Sequence, residues 1–225
     1  ITLLILKLDQ ALTHLIHHAY ELVKLPDYTM SRRRGRFISF DELIDEAISL
    51  AYQEVRKRSP ELDDDRKRTI ACAVGLGSVK YAMLSVSPTK TVNFTWDRVL
   101  NFESNAAPYV QYAHARACSI SRKAGFTPTA SDYSLLTDLT ERGLVVNLSR
   151  FPELFLETAD SLKPELLSEY ASNLADSFNT FYNKLPVLKA EKIGLRDARL
   201  ELVNATKIVL HNILDLLGIE APDRM

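Results

Sequence analysis

Residues 166–185 read LLSEYASNLADSFNTFYNKL. Leu167, Tyr170, Leu174, Phe178, Phe181 and Leu185 recur there at intervals of three and four, so they form one apolar stripe along an α-helix. A helix over 164–184 with that seam against a core is predicted. Leu195, Ala198, Leu202, Ala205, Val209, Ile213 and Leu216 repeat the pattern and predict a last helix over 193–217, with Gly218 as its left-handed stop. Further helices are predicted at about 106–123, 132–145 and 150–162, the first capped by Asn105 with Pro108 in its first turn. Connections this short favour antiparallel neighbours, which makes a helix bundle.

Upstream the pattern is mixed. Ser39 followed by Glu42 is a capping box, and the helix it opens buries Leu43, Ala47, Ile48, Ala51 and Val55 before Arg56-Lys57-Arg58 and Pro60. Residues 65–84 carry Ile70, Val74, Gly77, Tyr81 and Leu84 at helical spacing. Gly75 and Gly77 cost propensity in that helix, so close approach of another helix is their expected purpose. VGLGSVK is not a phosphate loop, since it lacks both a preceding strand and the Gly-Lys-Ser/Thr that such a loop needs. Ser87-Pro88 ends the helix, and KTVNFTWDRVLNFES reads as irregular or partly extended. Short strands are expected around the basic loop at Thr29–Arg36.

Composition excludes several classes. With 225 residues, 46% hydrophobic and only 7 Gly, the chain is neither disordered nor collagen-like, nor turn-dense. Its 28 Lys and Arg against 29 Asp and Glu create no global field for nucleic acid, so RNA binding would have to come from local clusters. Cys72 and Cys118 give neither a disulfide framework nor four-ligand zinc spacing, which suits a reducing compartment. No apolar run is long enough to span a bilayer, and ITLLILKLDQ is too soon charged for a signal peptide, so a soluble cytoplasmic protein is expected. The start at Ile1 suggests the C-terminal part of a longer polypeptide.

Two features could carry chemistry. The loop Thr29-Met30-Ser31-Arg32-Arg33-Arg34-Gly35-Arg36 gathers four guanidiniums around a glycine, which fits a polyphosphate; a solvated basic loop or a generic RNA contact fits the same spacing. Tyr109, Tyr112 and Arg116 share one helical stripe while Val110, Ala113, Ala117 and Ile120 form the core-facing one. Two rings and a guanidinium directed outward would make a platform for unstacked bases; half-buried packing tyrosines are the alternative. His14, His17 and His18 lack a partner acid at ligand spacing, and His114 and His211 read as single histidines satisfied by neighbours, so no metal site is expected.

Several separate segments, in order, give the chain a resemblance to the arginyl-tRNA synthetases, a class I aminoacyl-tRNA synthetase family. They are HHAYELVKLP with TMSRRRGRFISFDELIDEA, VGLGSVKYAML, FTWDRVLNFESNAAPYVQYAHARACSI, LADSFNTFYNKLPVL and ARLELVNATKIVLHNILDLLGIEAPDRM. The resemblance implies a mainly α fold: an antiparallel anticodon-binding helix bundle preceded by the C-terminal remnant of an α/β catalytic domain. It divides the chain into a catalytic remnant with the signature loop at 1–50, a connecting helical region at 51–104 and the anticodon-binding bundle at 105–225.

TMSRRRG is similar to the family's mobile loop, so Met30, Ser31, Arg32, Arg33, Arg34 and Gly35 become the expected ATP-phosphate contacts; Thr29 stands where the family normally has lysine. YVQYAHAR is similar to the helix that holds the anticodon loop, which makes Tyr109, Gln111, Tyr112 and Arg116 the expected tRNA contacts, joined by Met225. The implied reaction is ATP-dependent attachment of arginine to tRNA(Arg), with Mg2+ accompanying ATP, by a monomeric full-length ligase whose catalytic half lies upstream. A non-catalytic helical tRNA- or RNA-binding module and a protein-interaction scaffold are the alternatives.

Overall fold

Ser39 opens the first helix as its spacing predicts. Its hydroxyl accepts the Glu42 N–H at 3.1 Å, the Glu42 carboxylate accepts the Ser39 N–H at 2.8 Å, and α1 runs Phe40–Arg58. The computed structural model describes residues 16–25 and 39–225. Leu43, Ala47, Ala51 and Val55 are buried against α2 (Asp64–Leu84), forming a helical hairpin. Gly75 explains how closely the two approach: a Cβ there would stand 2.8 Å from the Ile48 Cα, nearer than real atoms come.

The stretch read as irregular contains two short elements. β2 (Val92–Asn93) pairs in parallel with β1 (Val23–Lys24), Val23 opposite Val92, and α3 (Trp96–Val99) follows. Phe94 and Val99 bury beside Leu43, Ala47 and Val79, so this pairing sits on the α1–α2 hairpin.

The bundle comprises α4 (Ala107–Ala124), α5 (Leu139–Ser149), α6 (Phe151–Ser161), α7 (Glu165–Lys184) and α8 (Ile193–Leu216). Leu167, Tyr170, Leu174, Phe178 and Phe181 of α7 are buried at its centre, with Leu185 packed against them, as the stripe requires. Three local expectations need correction. The helix expected at 132–145 is split into a single 3-10 turn at Tyr133–Leu135 and α5, because Asp138 and Glu141 make a second capping box that starts the helix there. Ala106 occupies the cap position of α4, while Asn105 takes φ 47°, a left-handed turn that asparagine tolerates. On α8 the deepest residues are Leu200, Val203, Leu210 and Leu214 together with Ala198, Leu202 and Ile213, and Leu216 is exposed: the buried face is broader and rotated from the expected stripe.

Gly218 takes φ 66° and turns the chain back. Residues 218–225 then run along α2 and α4. Lys80 Nζ donates to the Gly218 carbonyl, Arg122 to that of Asp223 at 3.0 Å, and Met225 packs on the cluster of Ala51, Val55, Ile70, Ala71 and Val74. Among the described residues no helix is long and apolar enough to cross a membrane.

Candidate nucleic-acid interface

Helix α4 divides the residues expected to act together. Tyr109 is only 9% exposed; its ring lies in the bundle core and its hydroxyl donates to Asp176 Oδ1 of α7. Burial first, and then that hydrogen bond, push its phenol above the ordinary range. Gln111 is 0% exposed, and its Nε2 donates to the carbonyls of Ala73 at 3.2 Å and Glu220 at 2.8 Å. Neither side chain presents a free face, and the burial of Tyr109 corrects the expectation that its ring faces outward with Tyr112 and Arg116.

Tyr112 does face outward, at 39% exposure. Arg116, one turn further along, is half-buried, and its guanidinium carbon stands 4.7 Å from the Tyr112 ring centre and 4.8 Å from that of Tyr182. The cation thus fills the gap between two aromatic faces, an attractive arrangement because the ring faces carry negative potential. Asn179 accepts a hydrogen bond from Arg116 Nη1 and fixes the plane of the guanidinium. Tyr182, on α7 and 41% exposed, completes the platform. Its three-residue spacing from Asp176 and Asn179 beside the seam can be read in the sequence, but its meeting with Arg116 of another helix cannot. Beyond Arg116 a groove continues between Lys123 and Lys189, floored by Ile120 and the Leu185–Leu188 turn. Exposed cations flanking stacked rings suit a chain of phosphates with splayed bases.

Met225 is not brought to this platform. At about 100° per residue, the side of α4 bearing Gln111, His114 and Cys118 points away from Tyr112 and Arg116, and the tail ending at Met225 is fastened to that far side. The expected phosphate loop, Met30 to Gly35, and His14 lie outside the described residues, while His17 and His18 are exposed. His114 and Cys118, one turn apart on α4, meet Asp223 of the tail, a grouping that local spacing did not link.

Comparisons with known proteins match two stretches of the chain. Residues 110–225 match the DALR anticodon binding domain, and residues 4–96 match the catalytic domain of class I tRNA synthetases (R). The chain is similar to an arginine–tRNA ligase of Pyrococcus abyssi, 46% identical over 228 residues, covering 98% of this chain and 36% of the relative. It is also similar to one of Methanosarcina barkeri, 46% identical over 211 residues, covering 92% of this chain and 37% of the relative. Among solved structures, Thermus thermophilus arginyl-tRNA synthetase superposes with a TM-score of 0.85 at 40% identity, over 92% of this chain and 35% of that one. The chain therefore spans about a third of the length of the relatives it matches.

Proposed function

Since this chain belongs to the arginyl-tRNA synthetase family, we propose that it supplies the tRNA-reading portion and the phosphate-binding loop of an arginine–tRNA ligase. The observation that carries the reading is the Tyr112–Arg116–Tyr182 stack, which lies within the stretch matching the anticodon-binding domain. Tyr112 and Tyr182 offer outer ring faces to unstacked anticodon bases, Arg116 holds the rings in register, and Lys123 and Lys189 meet the backbone phosphates. Tyr109 and Gln111 act as positioning residues, the first holding α4 to α7 through Asp176 and the second holding α4 to α2 and the tail. Met225 seats the tail.

For the whole ligase we assign tRNA(Arg), arginine and ATP with its accompanying Mg2+ as substrates, with Met30, Ser31, Arg32, Arg33, Arg34 and Gly35 at the ATP phosphates. A cytoplasmic monomer fits this reading.

The test is binding of a tRNA(Arg) transcript and an anticodon-substituted control at one fixed salt concentration. Tyr112→Ala should weaken cognate binding by about 1–3 kcal/mol, the worth of one base–aromatic stack, and leave the folded structure intact. Equal affinity of the unsubstituted protein for both transcripts would replace this reading by a nonspecific RNA module, and no binding of either by a protein-interaction scaffold.

A further inference from the structure

On the far side of α4 from the aromatic platform, we propose that His114, Cys118 and Asp223 form a site for one divalent transition-metal ion, Zn2+ being the expected occupant, with a solvent molecule as the fourth ligand. The site rests on the geometry of the tail and is independent of the tRNA reading.

His114 and Cys118 project from the same face of α4, and the turn at Gly218 returns Asp223 to them from 105 residues further along the chain. The ligand atoms of all three lie within 4.8 Å of one another. His114 Nδ1 is 3.1 Å from the Pro222 carbonyl. A carbonyl only accepts, so the ring proton resides on Nδ1 and the lone pair on Nε2. A ring N–H given to a backbone carbonyl is the contact that orients histidines bound to metals. Nε2 lies 3.5 Å from Cys118 Sγ, and Asp223 Oδ1 lies 3.3 Å from the same sulfur. An ion about 2.3 Å from sulfur and about 2.0 Å from nitrogen or oxygen, with tetrahedral angles, separates such ligand atoms by about 3.5 Å.

His211 of α8 stands across the same groove, its ring centre 5.7 Å from that of His114. A thiolate, a carboxylate and an imidazole suit zinc, and the two negative charges match the ion. The other charged groups at the groove are Arg122 of α4, turned to the Asp223 carbonyl, and Lys207 of α8.

Binding carries a defined proton balance. Burial, then the hydrogen bond to Asp223, push the Cys118 thiol up to about 11, so at neutral pH the sulfur carries its proton. Burial holds His114 below its ordinary value, so it is already neutral. As the metal–sulfur bond forms, the S–H bond breaks and one proton passes to solvent.

The experiment titrates chelator-treated, reduced protein with Co2+ and then Zn2+. One equivalent of Co2+ should give tetrahedral visible bands and a near-ultraviolet thiolate charge-transfer band, both displaced by Zn2+. Cys118→Ser should remove the charge-transfer band while Cys72→Ser, at an exposed position on α2, keeps it. Asp223→Asn changes an exposed tail residue, so the bundle stays folded, and it should weaken Zn2+ binding at least as much as loss of an outer-shell partner does, about 10- to 100-fold. A charge-transfer band that is absent, or that survives in Cys118→Ser, overturns the proposal, as does unchanged Zn2+ affinity in Asp223→Asn.

Discussion

Arg199 and Glu141, 58 positions apart in sequence, form an ion pair enclosed by the bundle, Nε to Oε1 2.7 Å, with side chains 9% and 1% exposed. Two further polar atoms are engaged: Arg199 Nη1 donates to the Pro186 carbonyl at 2.8 Å, and Glu141 Oε2 accepts the Asp138 N–H at 2.9 Å. The pair therefore ties α8 to the first turn of α5 and to the turn after α7. Arg199→Met would strand a buried carboxylate, which costs about 3–5 kcal/mol. Urea unfolding should show that loss as a lower midpoint at unchanged slope; a loss under about 1 kcal/mol would mean that the pair contributes packing alone.

Two glycines should respond oppositely to alanine. At Gly75 the added methyl meets the backbone of Ile48, so α1 and α2 must separate, and Gly75→Ala should destabilise by about 1–3 kcal/mol. At Gly143, inside α5, no atom of the described residues stands within 4 Å of the added one, and Gly143→Ala should stabilise by about 0.5–1 kcal/mol through helix propensity. Thermal melts of the two variants should shift in opposite directions.

Acid should loosen the helix starts. The Glu42 carboxyl is held below its ordinary value by the Ser39 N–H and hydroxyl, and that of Asp138 by the Thr140 N–H and hydroxyl. Burial raises Asp197, but Arg196 and the N–H groups of Thr129 and Ala130 outweigh it, and the net shift is downward. Lowered carboxyls stabilise the fold fully above their unfolded-state values, and that contribution is lost as pH falls through the folded-state ones. These carboxyls should lower the melting temperature only below about pH 5, on top of a decline that begins below about pH 6.5, where the buried His114, also held below its ordinary value, must take up a proton to unfold. Ser39→Ala should flatten part of the acid limb.

Arg116→Lys separates stacking from charge. Lysine keeps the cation but not the planar group between Tyr112 and Tyr182. Affinity for tRNA(Arg) should drop while the salt slope of log K stays unchanged. Lys123→Ala should instead reduce that slope by about one unit. Unchanged affinity in Arg116→Lys would make Arg116 a phosphate contact, which the charge of lysine serves equally well.

Much of the fold was legible because it repeats one signal. The α7 seam, the Ser39–Glu42 box and the glycine contact of α2 are local patterns whose physical cause lies within a few residues. The burial of Tyr109 is not legible from a helical wheel, which gives spacing and not neighbours: α7 covers its ring, as the returning tail covers Gln111. Tyr182 was invisible for the same reason, since only the packing of α7 on α4 brings its ring to Arg116. The His114–Cys118–Asp223 group depends on a single turn at Gly218, far from either histidine or cysteine in sequence.

The amide of Gln111 has one further consequence. Its two hydrogens are committed to carbonyls of different segments, Ala73 and Glu220, and its seat exists only because Gly77 has no side chain: a Cβ there would stand 3.0 Å from Nε2 and 2.9 Å from Ile219 Cγ2. A shorter amide at 111 would not span both carbonyls, and any bulk at 77 would evict it. Positions 77, 111 and 219 are thus epistatic, free to drift as a trio but not one at a time.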